Sequence, residues 1–302
     1  MKSKLSVVIS AFNEEEKIEK CLHSVEFADE IVVIDNDSSD KTSELARKYT
    51  SSVYSQKNNP LLIDLQKNTG FKKAKYELIL SIDADEMVSE ELKKEIQNLL
   101  KGNKFKAGYF IPRKNIIFGK QIEYSGWYPD HQLRLFRKGK GEFKNDHVHE
   151  GIQVDGETGH LKEHIVHYNY ESVLQFIQKN MITYAQNEAN SLINKNYILR
   201  PGDLIKIPTR EFLSRFFARK GYKDGIHGLF LSLLMASSHL VVLALVWEKQ
   251  GFKEVDNPDF LKEVVGELKK VQKDTNYWIH SSYIDETKSL IKKIHYKIRR
   301  KL

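Results

Sequence analysis

Short apolar runs alternate with amphipathic stretches along the first hundred residues. Residues 5–10 (LSVVIS), 31–35 (IVVID) and 77–83 (ELILSID) read as strands, and 52–56 as a weaker one. Helices are predicted between them. One runs from Glu14 to about Ser24, capped by Asn13, with Glu14, Glu15 and Glu16 in its first turn. A second, capped by Ser38 or Ser39, runs to about Tyr49; a third follows Pro60 toward Lys75; a fourth is capped by Ser89. Strands alternating with helices at this spacing imply right-handed βαβ units and a parallel sheet.

The pattern changes from Ala107 to His167. Extended runs at 108–112, 132–136, 149–154 and 164–168 alternate with turns, predicting an antiparallel or mixed extension of the sheet. A helix is expected over 171–194. Arg200-Pro201-Gly202 is the best candidate boundary, giving an N-terminal domain at 1–197 and a helical region at 198–302. Within the latter, the 23 residues 225–247 carry no Asp, Glu, Lys or Arg. That is long enough to span a bilayer. Its histidines, glycines and serines, and basic flanks on both sides, favour an in-plane or buried helix over a span. Residues 288–301 interleave Lys and Arg with Leu290, Ile291, Ile294 and Ile298, an amphipathic spacing suited to anionic lipid or to a solvated capping helix.

Composition narrows the class. With 40% hydrophobic and 29% charged residues in 302, the chain is globular, neither disordered nor polytopic. The single cysteine, Cys21, excludes an internal disulfide and a multi-cysteine zinc site. The run at 5–9 is shorter than a signal-peptide core, so a cytoplasmic chain is expected. The formal charge of +7 is uneven: 1–197 hold 28 basic against 29 acidic residues, 198–302 hold 20 against 12. A basic tail without aromatic interleaving or zinc spacing gives no case for nucleic acid, and an anionic membrane surface is the expected partner.

Candidate chemistry sits at the strand ends. Ser81-Ile82-Asp83-Ala84-Asp85-Glu86 puts two carboxylates at i and i+2 directly after an apolar strand. There they can converge on one hard cation, Mg2+ or Mn2+, that keeps positions for phosphate oxygens. Ser10-Ala11-Phe12-Asn13-Glu14 follows the first strand and Asp35-Asn36-Asp37-Ser38 the second, where acids and amides can meet ribose hydroxyls or a base edge. Helix caps and turns account equally well for Asn13, Asn36 and Ser38. No GxGxxG or GxxxxGK[ST] is present, against dinucleotide cofactors and P-loop ATPases. His164 and His167 lie on an alternating strand; His167 is either a metal ligand or a structural histidine.

Residues 7–14, 33–42 and 81–86, with Lys67-Asn68-Thr69-Gly70 and Ala74, resemble glycosyltransferase family 2. Three further segments are similar to its lipopolysaccharide-core β-1,4-glucosyltransferase-like branch: Trp127 to Arg137, Val148-His149-Glu150, and Arg219 to Gly225 with Gly228. The resemblance covers roughly residues 5–250. It implies an α/β, Rossmann-like GT-A fold of the nucleotide-diphospho-sugar transferases, with a helical C-terminal extension. It also implies an inverting transferase that takes a hexose, such as glucose, from a UDP-sugar.

Carried over, Ser10, Ala11, Phe12, Asn13, Glu14, Asp35, Asp37, Lys67, Asp83 and Ala84 line the donor site, with Phe12 and Asp35 at the base. Asp83 faces ribose or metal, Asp85 holds the metal on the diphosphate, and His167 is its further candidate ligand. Trp127, Arg134 and His149 face a saccharide or lipid-linked acceptor such as lipopolysaccharide core. Inversion in one displacement needs a base opposite the leaving group, either Asp130 or Glu150.

The family's usual paired acids stand here as Pro129-Asp130, and no processive glutamine motif is present. A haloacid-dehalogenase-type phosphatase would carry its acid pair on the first strand, and a sugar nucleotidyltransferase would need a Gly-rich, Arg-containing N-terminal loop. Two competing functions stay open: a non-catalytic GT-A-like protein that binds lipid or a partner, and a peptide glycosyltransferase. The overall expectation is a cytoplasmic enzyme peripheral to the inner face of the membrane.

Overall fold

The computed structural model describes residues 3–59, 62–102, 105–144, 151–254 and 258–300. The chain forms two compact units, Met1–Gln121 with Tyr128–Glu171, and Ile122–Trp127 with Ser172–Leu302.

The first unit is a mixed sheet flanked by helices. Its parallel half contains β1 (Leu5–Ala11), β2 (Glu30–Asp35), β3 (Val53–Ser55) and β4 (Leu78–Asp83), in the order β3-β2-β1-β4. Helices α1 (Ile18–Ser24), α2 (Thr42–Ala46) and α3 (Ile63–Lys73) connect them. After β5 (Glu86–Val88) and α4 (Glu90–Lys101), the sheet is extended by β6 (Gly108–Ile117), β7 (Lys120–Gln121), β8 (Asp130–Arg137), β11 (Thr158–His160) and β12 (Ile165–Tyr170); β9 (Gly141–Glu142) and β10 (Gln153–Val154) pair separately. Strand β8 runs antiparallel to both β4 and β6, and β12 runs parallel to β6 and antiparallel to β5. The mixed extension expected from sequence is therefore present.

Every residue of β1 is buried, as a parallel strand covered on both faces requires. Val7 and Ile9 pack with Ile18 and Leu22 of α1 and with Leu92 of α4, whereas Val8 points the other way, to Ile34, Phe71 and Phe136. Helix α3 lies close on this second face. A Cβ on Gly70 would come 2.4 Å from Val8 Cγ1 and 2.9 Å from Ile34 Cγ1, so only glycine admits the contact. Asn68, two residues earlier, clamps the helix by donating to Phe143 O (2.8 Å) and accepting from Phe143 N (2.9 Å). Gly70→Ala is expected to destabilise the fold by about 1–3 kcal/mol through overpacking. Denaturant titration checks this; an unchanged midpoint would refute the close-approach role.

Two helix starts differ from expectation. Asn13 does not cap a helix: it adopts a left-handed conformation (φ 52°), accepts from Ser39 N through Oδ1 (2.8 Å), and α1 begins only at Ile18. Neither Ser38 nor Ser39 caps α2; the Asp40 carboxylate instead accepts Thr42 N (2.9 Å) and Glu15 N (3.1 Å), tying the two loops together. Ser89 does cap α4, accepting Leu92 N at 3.1 Å.

The second unit is helical: α5 (Val173–Phe176) continues through a π-helical stretch, Ile177–Tyr184, into α6 (Ala185–Asn194), followed by α7 (Asp203–Leu213), α8 (Ile226–Lys249), α9 (Phe260–Glu286) and α10 (Leu290–Arg299). The stretch 173–194, which the sequence boundary places with the first part, groups here because Ala185 and Ala189 pack on Val242 and Val246 of α8. Helix α8, long and apolar enough to cross a membrane, is thus partly buried, while Ile226, Phe230, Leu233 and Leu240 remain exposed. Its start is pinned by the Arg219–Gly225 segment. Asp224 accepts the backbone N–H groups of Glu123 (3.2 Å) and Tyr124 (2.9 Å), and a Cβ on Gly228 would fall 1.8 Å from Gly221 O.

Candidate active site

Strands β1, β2 and β4 end level. Ala11 is in register with Asp35, and Ser10 with Asp83, so the polar segments after all three strands emerge along one edge of the sheet. Ligands of α/β sheets bind beyond this edge. Ser10 Oγ accepts from Asn36 Nδ2 (2.9 Å), and Asn36 Oδ1 accepts from Gln56 Nε2 (2.8 Å), which fixes the loop floor. Ala84 N donates to Ser10 O (3.1 Å), bringing the acidic loop against the first. Asp35 is buried and accepts Ser38 N at 3.3 Å. Phe12 is 44% exposed, unusual for a phenylalanine beside a buried strand end, and leaves a ring face available for stacking. Asp37 is exposed with φ 64°, and Glu14 N is held by Thr42 Oγ1 (2.8 Å).

A chain of alternating charges runs from this edge into the antiparallel half. Lys67 Nζ meets Asp83 Oδ1 at 2.7 Å; Arg134 Nη2 meets Asp83 Oδ2 at 3.0 Å and Glu86 Oε1 at 2.6 Å. Arg113 Nη1 meets the same Glu86 oxygen at 3.1 Å, and its Nε donates to Asp130 Oδ2 at 2.9 Å. Gln132 Nε2 donates to the other Asp130 oxygen at 2.7 Å. Glu86 is fully buried and also accepts Asp83 N (2.9 Å). Burial without partners would be prohibitive for these ions; each one is paired. Burial pushes the Asp83 carboxyl up, but Lys67 and Arg134 overcome this and hold it far below the usual carboxylate range. For Asp130 burial likewise pushes up, and the Arg113 charge with hydrogen bonds from Gln132 and Arg113 brings it below the ordinary value.

Register explains how the network assembles. Arg113 of β6 faces Asp130 of β8; Asn115 of β6 faces His167 of β12; His167 in turn faces Glu86 of β5. His167 Nε2 lies 3.5 Å from Asp85 Oδ2, and Nδ1 is 2.8 Å from Asn115 Oδ1. An amide oxygen at Nδ1 makes that nitrogen the donor and leaves Nε2 turned toward Asp85. A carboxylate and an imidazole nitrogen facing one another are a donor set for a cation, with the ring held as outer-sphere partners hold metal-ligating histidines. Arg134 Nε, buried, has no hydrogen-bond partner among the described residues, a donor suited to an anionic ligand group.

Of the three residues named for the metal, Asp85 and His167 face one another. Asp83 does not join them, since both its oxygens are turned to Lys67 and Arg134. No three His, Cys, Asp or Glu side chains form a metal-binding group among the described residues. A shell completed by diphosphate oxygens and water fits this donor set. Trp127 belongs to the second unit, where the Arg215 guanidinium lies 5.3 Å from its ring centre. His149 and Glu150 lie outside the described residues. Arg113, Asn115, Gln132 and the role of Glu86 were not expected from sequence; the only hint was Arg113 and Asn115 on one face of a strand at i and i+2.

Residues 6–154 match the model of the glycosyl transferase family 2. The chain is a glycosyltransferase, similar to family 2 over these 149 of its 302 residues. Its mixed α/β sheet, with helices following it, agrees with the architecture that the sequence resemblance implied. This glycosyltransferase is 25% identical over 266 residues to a lipopolysaccharide core biosynthesis glycosyltransferase, LpsC, of Rhizobium meliloti, covering 84% of this chain and 96% of that one. It is 27% identical over 261 residues to an uncharacterized glycosyltransferase of Rickettsia bellii, covering 81% and 86% of the two chains. Among solved structures, S. aureus TarS 1-349 in complex with UDP aligns over 84% of this chain and 94% of that one, at 16% identity and a TM-score of 0.44, a likeness on which nothing below rests.

Proposed function

We propose that this glycosyltransferase moves a hexose, with UDP-glucose or a similar UDP-sugar as donor, to a saccharide hydroxyl with inversion, aided by Mg2+ or Mn2+. The carrying observation is the Asp83–Asp85 pair at the end of β4, set between Lys67 and Arg134 on one side and His167 on the other. Phe12, Asp35, Asp37 and the 10–14 loop line the uridine side. Asp83 positions Lys67 and Arg134, whose charges meet the diphosphate. Asp85 and His167 would hold the metal, which as a Lewis acid stabilises charge on the departing diphosphate.

Asp130 takes the proton of the acceptor hydroxyl as that oxygen bonds to the anomeric carbon and the carbon–phosphate-oxygen bond breaks. Arg113 and Gln132 keep the Asp130 carboxylate ionised and fixed in direction. Glu150 is the rival base. The acceptor class is a membrane-borne saccharide, lipopolysaccharide core or a lipid-linked glycan, in line with the name of the Rhizobium relative. Trp127 and His149 keep the acceptor-side role that the resemblance implies, whereas Arg134, paired with Asp83 and Glu86, is assigned to the donor diphosphate. The enzyme acts in the cytoplasm, peripheral to the membrane.

Calorimetry with UDP-, GDP- and CMP-sugars in Mn2+ and in EDTA tests the reading. Metal-dependent binding of a UDP-sugar is expected; a folded protein that binds none of them would sink it.

A further inference from the structure

We propose that α10 is an in-plane anchor for an anionic lipid surface. This deepens the peripheral-membrane part of the proposed function and depends on no step of the transfer reaction. Residues 288–302 hold seven Lys and Arg and no Asp or Glu, so the preceding 287 residues balance at 41 basic against 41 acidic. The whole net charge of the protein therefore sits on this one helix and its ends. Ser289 caps it, accepting Lys292 N at 3.4 Å.

At about 100° per residue, Leu290, Ile294, Ile298 and Ile291 fall in one continuous arc of roughly a quarter turn. These four are 72%, 53%, 60% and 81% exposed. On the opposite side, Tyr296 packs on Tyr283 of α9, with ring centroids 5.0 Å apart, and Arg300 covers Tyr277 at 5.2 Å. The helix is thus held by one side, leaving the apolar arc outward. Lys297 and Lys293 border that arc on one flank; on the other His295 comes first, with Arg299 and Lys292 about 80–100° beyond Ile291. An aliphatic stripe edged on both sides by cations matches the boundary between acyl chains and anionic headgroups. A protein partner with a groove for the stripe would also have to supply acids along both edges; a lipid surface supplies them everywhere.

The test is co-sedimentation of the full chain with phosphatidylcholine vesicles and with vesicles containing about a quarter phosphatidylglycerol. Expected is binding to the anionic vesicles, reversed by salt. Ile291→Asp with Ile294→Asp should weaken it at least about tenfold, as should Lys292→Glu with Lys293→Glu, at roughly fivefold or more per basic residue. Ile291, Lys292 and Ile294 are exposed and Lys293 is half-buried, and circular dichroism should show both variants folded. Failure of the wild type to bind anionic vesicles, or full binding by the Ile291/Ile294 variant, would overturn the proposal. So would a wild-type dimer that ignores vesicles and that the same variant turns into a monomer, which would give the face to a second copy. Nucleotide-sugar calorimetry on these variants keeps the two readings apart: donor binding should be unchanged whichever way the vesicle result falls.

Discussion

Asp85→Ala is expected to bind UDP-sugar no better in Mn2+ than in EDTA, and to lose turnover by about 10³-fold or more. The reason lies in the division of labour at the end of β4. Asp83 is committed to Lys67 and Arg134, so Asp85 is the carboxylate left facing His167. Removing it leaves one imidazole to hold a dication against the leaving diphosphate. His167→Ala should show a milder form of the same loss, because a single neutral ligand contributes less than an anionic one. Asp85 is nearly buried, and its backbone carbonyl accepts Tyr168 N at 3.0 Å, a bond that the alanine variant retains. Unfolding should therefore not explain the result, and near-UV circular dichroism checks that. Retention of Mn2+-dependent donor binding within about threefold of wild type would remove Asp85 from the metal site.

Asp130→Asn should lower kcat by roughly 10²–10⁴-fold while leaving donor affinity intact, since an amide cannot accept the acceptor's proton. Arg113→Gln tests the same residue through its titration. A base works only when ionised, so activity is lost as pH falls through its pKa. Burial raises the Asp130 pKa and Arg113 is the largest influence lowering it, so in the wild type the acid limb lies below the ordinary carboxylate range. Taking away the guanidinium removes that influence, raises the pKa, and moves the acid limb of kcat/KM upward in pH. Glu86 keeps Arg134 as its partner in this variant, which limits the structural damage. If the limb does not move, or Asp130→Asn turns over like wild type, the base is elsewhere, and Glu150 is the next residue to replace.

The parallel half of the fold was readable because its signals are local. Runs such as LSVVIS and IVVID, short and rich in β-branched residues, read as buried strands, and the intervening helical spacing implies a crossover. From that alone the three polar segments had to share one sheet edge, and Ser10, Asp35 and Asp83 do. Helix starts at Asn13 and Ser38 were misread because both residue types cap and turn equally well. The choice was made by a partner loop, Asn13 to Ser39 and Asp40 to Glu15, more than twenty residues away in sequence.

Sequence by itself determined the parallel half of the sheet, the acidic loop at its carboxyl edge, the resemblance to a glycosyltransferase family, and a last third carrying the surplus charge. Each of these is written in neighbouring residues or in composition. Only the tertiary structure decided which carboxylate is spent on cations and which faces histidine, and which arginine governs Asp130. Those pairings join β4, β5, β6, β8 and β12 through strand registers. A one-residue slip in any of them would send the side chains to the opposite face. Register is settled by packing across the whole sheet, and that is why the spacing of Arg113 and Asn115 could not be given a role until the strands were paired.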